Sequence, residues 1–305
     1  MRIATLLPSA TEIVHALGLG ASLVARSHEC DYPDGVRALP AVTRSKIDTS
    51  ATSADIDRQV KASTAGRTAI YSIDRDALER LRPDVIVTQD QCDVCAVDLD
   101  EVRACVRGIP SLAGAKIVAL APTSLADVYA DIREVARAAG APAAGNDLVA
   151  GLEARVAAVA RRSHGARSTP RVACIEWADP LMIAANWTPE LVALAGGASV
   201  LARAGEPSRY ADWHELVASA PEVLVIMPCG FDLARAVAER DNLRWRRGWS
   251  EMPAVRNEHI VAVDGNAYFN RPGPRLVDSL EILAHAIAPA LHPDVHPGAW
   301  RALPR

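Results

Sequence analysis

Between Ser124 and Ser163 the chain holds no strand-like run and its apolar residues recur at helical spacing, while strands and helices alternate on both sides. A chain built this way has two α/β halves with helix between them. Leu125, Val128, Ile132 and Val135 mark one helix, and Leu148, Leu152, Val156 and Val159 mark a second beyond Gly140-Ala141-Pro142. The second, from about Asn146 to Arg162, spans roughly 25 Å at the usual helical rise. That length suits a helix tying two lobes together. The expected division is an N-terminal α/β lobe over 1–122, a helical linker over 123–169, a C-terminal α/β lobe over 170–290 and a tail over 291–305.

Within the first half, Arg2 to Leu7 reads as a strand, and Ser9-Ala10-Thr11-Glu12 has the form of a capping box ahead of an apolar helix face. Gly18 and Gly20 stop that helix. Asp74 to Leu81, Pro83 and the strand Val85 to Thr88 repeat the pattern, and Lys116 to Leu120 adds a strand. In the second half the strands are Val172 to Ile175, Val223 to Met227 and Ile260 to Val263. Helices fall at Pro189 to Ala195, ended by Gly196-Gly197, at Asp212 to Ser219 and at Pro274 to Ala288. Strands joined by helices imply parallel sheets with right-handed crossovers. The proline- and histidine-rich tail after Pro289 is expected to lie loosely on the surface.

With 305 residues, half of them hydrophobic, the chain can bury a large core. A net charge of -4 offers no broad basic field, which argues against nucleic acid as partner. Arg244-Trp245-Arg246-Arg247 reads as a solvated helix face. No run reaches the ~18 apolar residues a bilayer span needs. The sequence as written enters a strand at once, with no secretory leader ahead of it, so a cytoplasmic location is the expectation. Six unevenly spaced cysteines do not form a disulfide framework, leaving free thiols or metal thiolates.

Cys92 and Cys95 follow the strand Val85 to Thr88, and His28 and Cys30 follow Leu23-Val24-Ala25. Open α/β sheets keep ligands beyond the carboxyl ends of their strands. If both strands share a sheet, His28, Cys30, Cys92 and Cys95 can supply a tetrahedral thiolate site for zinc or iron; the alternative is that the cysteines are small loop residues. Cys229 follows the strand Val223 to Met227 and is expected in a ligand cleft, whereas Cys105 and Cys174 read as packing residues. Glu176 and Asp179 flank Trp177, but nothing in the sequence orients them against a nucleophile. There is no P-loop and no dinucleotide glycine fingerprint. Binding is therefore the stronger reading than catalysis.

The segments Leu7-Pro8-Ser9-Ala10-Thr11-Glu12-Ile13, Asp31-Tyr32-Pro33, Leu81-Arg82-Pro83-Asp84-Val85-Ile86, Trp187-Thr188-Pro189-Glu190-Leu191 with Gly196-Gly197, and Phe269-Asn270-Arg271-Pro272-Gly273-Pro274-Arg275 occur in this order from about residue 2 to residue 288. Together they resemble the substrate-binding proteins that serve transporters for cobalamin and iron-siderophores, the class III periplasmic-binding-protein type. The resemblance implies two Rossmann-like α/β lobes joined by a long helix, with a ligand cleft between them. It also implies cobalamin, or a related corrinoid or metal chelate, as ligand. Broad apolar surfaces hold such a macrocycle, so Tyr32, Trp177, Trp187, Tyr268 and Phe269 are candidate cleft aromatics, with Arg271 reaching a polar rim; the alternative is that Trp187 and Phe269 seal a lobe's core at helix starts and that Arg271 caps its loop. Family members dock on their permease through an acidic residue at the top of each lobe. Asp76 is the candidate in the first lobe, but His214 takes the matching place in the second, with Glu215 beside it, so the sequence carries no firm expectation of transporter docking. The segment Ser45 to Thr68 is an insertion relative to the usual exported member.

Overall fold

The computed structural model describes residues 1–66, 68–90, 97–293 and 296–304. It divides into two compact units, one of residues 1–122 with 126–151, the other of 123–125 with 152–305. No helix among the described residues is long and apolar enough to cross a membrane.

The first unit runs β1 (Ile3–Thr5), α1 (Pro8–Ala16), β2 (Leu23–Ala25), β3 (Thr43–Ser45), α2 (Ser53–Ala65), β4 (Tyr71–Ile73), α3 (Arg75–Leu81), β5 (Val85–Gln89), α4 (Leu99–Arg107), β6 (Lys116–Leu120) and α5 (Leu125–Ala138). Its sheet has the order β2-β1-β5-β6, and every pairing in it is parallel. All residues of β5 are buried. A strand flanked on both sides in a sheet covered by helices reads as a continuous apolar run, which is why Val85 to Thr88 stands out in the sequence. Ala4, Leu6, Leu78, Ile86, Val102 and Leu112 form its core. The insertion folds as an appendage: β3 and β4 pair antiparallel, Thr43 opposite Ile73 and Ser45 opposite Tyr71, and carry α2 between them.

Two local expectations change here. The capping box does not form. Helix α1 opens at Pro8 with Leu7 as N-cap and no side-chain cap, and Ser9 and Glu12 lie buried inside the helix. Proline at the first position, with φ preset and no N–H to satisfy, starts the helix one residue before serine can cap it. The long helix α6 covers Pro142–Ser163, starting earlier than the apolar period alone suggests because Pro142 also serves as a helix opener. Gly151 and Leu152, within α6, mark where the two units divide.

The second unit continues with β7 (Arg171–Trp177), β8 (Met182–Ile183), α7 (Thr188–Leu194), β9 (Ala198–Ser199), β10 (Arg209–Tyr210), α8 (Trp213–Ala218), β11 (Val223–Ile226), α9 (Leu233–Arg244), α10 (Pro253–Arg256), β12 (Ile260–Val263), α11 (Leu276–Ile287) and β13 (Trp300–Leu303). The sheet order is β10-β8-β7-β11-β12-β13, with β9 also on β7. Its centre, β7-β11-β12, is parallel, as the crossover rule requires. Its edges are antiparallel: β8 returns directly against β7, and β13, beyond α11, runs against β12. The tail is therefore not loose: Trp300 pairs with Val263 and Leu303 with Ile260, and Leu303 is buried. Ile175, Ile183, Leu216, Leu224, Ile226, Leu243 and Ile260 pack as one core. Each large aliphatic side chain so buried contributes about 1.5–3 kcal/mol relative to exposure.

Candidate functional site

In the first unit, β1 and β2 deliver a buried polar cluster at their carboxyl ends. The Thr11 hydroxyl donates to Cys30 Sγ at 3.0 Å and lies 2.6 Å from Thr5 Oγ1. Thr5 Oγ1 also lies 3.5 Å from Ala25 O and Thr11 Oγ1 3.5 Å from Leu7 O, so both hydroxyls are set among several partners. Cys30 is 1 % exposed. Thr43 at the start of β3 donates to Ser27 Oγ at 3.1 Å, so toward His28 it can only accept. It takes the His28 backbone N–H at 3.0 Å and the Nδ1–H at 2.7 Å, which fixes the ring as the Nδ1-protonated tautomer. Burial, helped by Arg26, pushes the His28 imidazole below its ordinary value, in keeping with a neutral ring. Its Nε2 is buried without a hydrogen bond among the described residues, 3.9 Å from Glu29 Oε1. Cys92 and Cys95, the other members of the expected thiolate set, lie outside the described residues. Tyr32 stands on the surface, 45 % exposed.

In the second unit, the carboxyl ends of β7, β11 and β12 meet. Strand β7 ends at Glu176-Trp177, and the loop after β11 hydrogen-bonds back to it through Cys229 N to Glu176 O at 3.2 Å. The half-buried Trp177 ring packs against Phe231 at 5.0 Å with a 54° tilt, and the Arg235 guanidinium covers the other ring at 3.6 Å. Glu176 accepts from Ser208, and burial pushes its carboxyl upward in spite of that bond. Cys229 is half-buried, unlike Cys105 and Cys174, which are buried; burial pushes the Cys174 thiol up to about 12. Gly265, after β12, passes so close that an added Cβ would lie 2.2 Å from Pro228 O, so only glycine lets the two strand-end loops touch. Asp264 caps the following turn by accepting from Ala267 N at 2.7 Å, and Asn266 N donates to Phe231 O at 3.0 Å.

Several expected ligand residues are placed elsewhere by this packing. Phe269 is fully buried and Trp187 nearly so, with Trp187 Nε1 donating to Phe269 O at 3.0 Å; both seal the core of the second unit. A ring without exposed surface cannot offer a face to a ligand. Arg271 is also buried and donates to Asn266 Oδ1 at 3.0 Å, so it braces the turn rather than reaching outward. Tyr268 lies half-buried beside His296 at 6.0 Å and under Arg275 at 5.4 Å. Trp177 and Cys229 do share the strand-end surface. Phe231 and Arg235 join them without having been singled out; the only sequence signal was Gly230 just after a strand, which permits the sharp turn there.

Of the docking candidates, Asp76 lies exposed in the first turn of α3. Glu215 closes a capping box with Asp212 and pairs with Arg209 at 3.3 Å, while His214 donates its backbone N–H to Asp212. Among the described residues, Asp278, Glu281 and His296 are the group whose atoms converge as metal ligands would. Arg155 already occupies that cluster, 2.5 Å from Asp278 Oδ1 and 2.7 Å from Glu281 Oε2. Its guanidinium supplies the charge a cation would bring.

The sequence matches the model of the family described as periplasmic binding protein over residues 3–267. The vitamin B12-binding protein of Vibrio vulnificus is 23% identical over 281 residues, covering 92% of this chain and 87% of that one. The solved periplasmic heme-binding protein of Roseiflexus sp. RS-1 superposes with a TM-score of 0.70 at 25% identity, covering 95% of this chain and 99% of its own. The periplasmic vitamin B12-binding protein of Vibrio cholerae gives 0.68 at 22% identity, covering 95% and 97%. With both units' sheets, the order of its motifs and the family model in agreement, this chain belongs to the periplasmic binding protein family.

Proposed function

We propose that the protein is a non-catalytic binding protein whose substrate is cobalamin or a related corrinoid. The observation that carries this reading is the surface at the ends of β7 and β11. There a half-buried Trp177, backed by Phe231 and Arg235, offers an apolar ring edge and face, and Glu176 and Cys229 stand beside it as polar groups. A large flat macrocycle needs that combination of aromatic area and few, fixed polar partners. Curated relatives matching nine tenths of the chain and named for vitamin B12 support the choice of ligand. Heme is the second reading. It is supported by solved heme-binding proteins of the same fold and by Cys229, since a thiolate is a known axial ligand of heme iron.

Equilibrium dialysis of the purified protein against cyanocobalamin and, separately, hemin tests the proposal. Saturable uptake of cobalamin, weakened by about 1–3 kcal/mol in Trp177→Ala, is the expected result for a ring stacked on the ligand. Uptake of hemin alone selects the second reading. Binding of neither, by protein that melts cooperatively, contradicts both.

A further inference from the structure

At the amino ends of the first unit's strands, opposite the end that carries Thr11 and Cys30, three arginines surround one depression. Its volume is about 570 Å³, and Arg2, Arg80, Leu81 and Arg82 line it. Arg2 enters β1, and Arg82 sits just before β5. The Arg2 side chain is fixed by one bond, Nε to Leu81 O at 2.7 Å, which leaves its terminal nitrogens to face elsewhere. The nearby carboxylate of Asp84 is engaged by the Arg2 backbone N–H at 2.7 Å. Among the described residues, the Arg80 and Arg82 side chains have neither a hydrogen-bond nor an ion-pair partner. Arg82 takes a left-handed conformation, φ 44°, where glycine is the ordinary choice, so its long cationic side chain stands at a position that backbone geometry alone would not select.

Guanidinium groups gathered without ion pairs of their own repel one another, and the oxyanions they match best are those that accept paired N–H donors. We infer that this depression binds a phosphoryl oxyanion, either free in solution or borne on a lipid headgroup. The site is separate from the substrate surface proposed above and does not depend on it.

Calorimetric titration of the full chain with inorganic pyrophosphate at low ionic strength, and flotation with phosphatidylglycerol vesicles against phosphatidylcholine vesicles, test the inference. The comparison variant is Arg80→Gln/Arg82→Gly, in which glycine retains the left-handed backbone. Pyrophosphate binding that falls about tenfold in the variant, the scale of one lost charge-assisted hydrogen bond, supports a free anion. Flotation with phosphatidylglycerol alone, likewise lost in the variant, supports a headgroup. Arg80→Glu, a change at an exposed helix position, should reproduce either loss and guards against a folding defect in the double variant. Absence of both activities in the wild type, or their persistence in folded variants, overturns the inference.

Discussion

Thr43 shows how one buried hydroxyl can decide the chemistry of its neighbours. By donating to Ser27 it becomes a pure acceptor for His28, and the imidazole is left with its lone pair on Nε2. Thr43→Val keeps the volume but strands the Nδ1–H and backbone N–H of His28, so we expect a loss of about 1–3 kcal/mol of stability, the cost of unsatisfied buried donors. Urea unfolding measures it; an unchanged midpoint would mean that the donors find other partners. At this scale the sequence was a partial guide. Trp177 and Cys229 were legible as strand-end residues because position after a buried strand is a local property. Trp187 and Phe269 were not, because whether an aromatic ring faces solvent or core depends on contacts such as the Trp187 indole N–H donating to Phe269 O, between residues far apart in sequence. Phe231 and Arg235 were invisible for the same reason: their role arises from Trp177 packing across from β7.

The elements are held by a few long-range polar ties as well as by their apolar faces. Arg155 on α6 binds Asp278 and Glu281 on α11, and His296 adds a contact to Glu281 at 2.8 Å. Burial alone would push the Glu281 carboxyl up, but Arg155 and His296 outweigh it and hold the carboxyl below its ordinary value of 4.5. A carboxyl depressed in the folded state contributes stability that is present above its unfolded value and lost as pH falls through its folded value. Arg155→Leu should therefore lower stability at neutral pH by about 1–2 kcal/mol, a partly solvent-screened figure, and flatten the decline below pH ~4.5. Thermal melts between acid and neutral pH check this, and a variant with an unaltered acid limb would remove Glu281 from the account. The apolar stripe of α6 could be read directly from helical spacing, whereas its start at Pro142 and its partner on α11 could not, since charge pairs across elements leave no periodicity. Strand β13 was missed because a short edge strand in a proline-rich tail owes its conformation to the exposed edge of β12.

At the scale of the molecule, alternation of strands and helices around a helical stretch was enough to give the fold class, and ordered motifs gave the family. Both signals are spread over the chain and survive errors in any one element. The antiparallel edges of the second sheet were not recoverable, because the local return of β8 depends on loop geometry and the return of β13, beyond α11, on the open edge of β12, neither of which leaves an apolar pattern. Substrate identity rests on fewer residues still, those at the ends of β7 and β11. Hydrogen–deuterium exchange of the full protein, with and without saturating cobalamin, tests it most directly. The account predicts slowed exchange of the amides in Met227–Arg235 and Asp264–Arg271, the strand-end loops that carry Cys229, Phe231 and Arg235, with no change at Arg80 to Asp84. Protection confined to other segments, or no protection at a cobalamin concentration well above that needed for binding, would contradict the placement of the substrate on this surface.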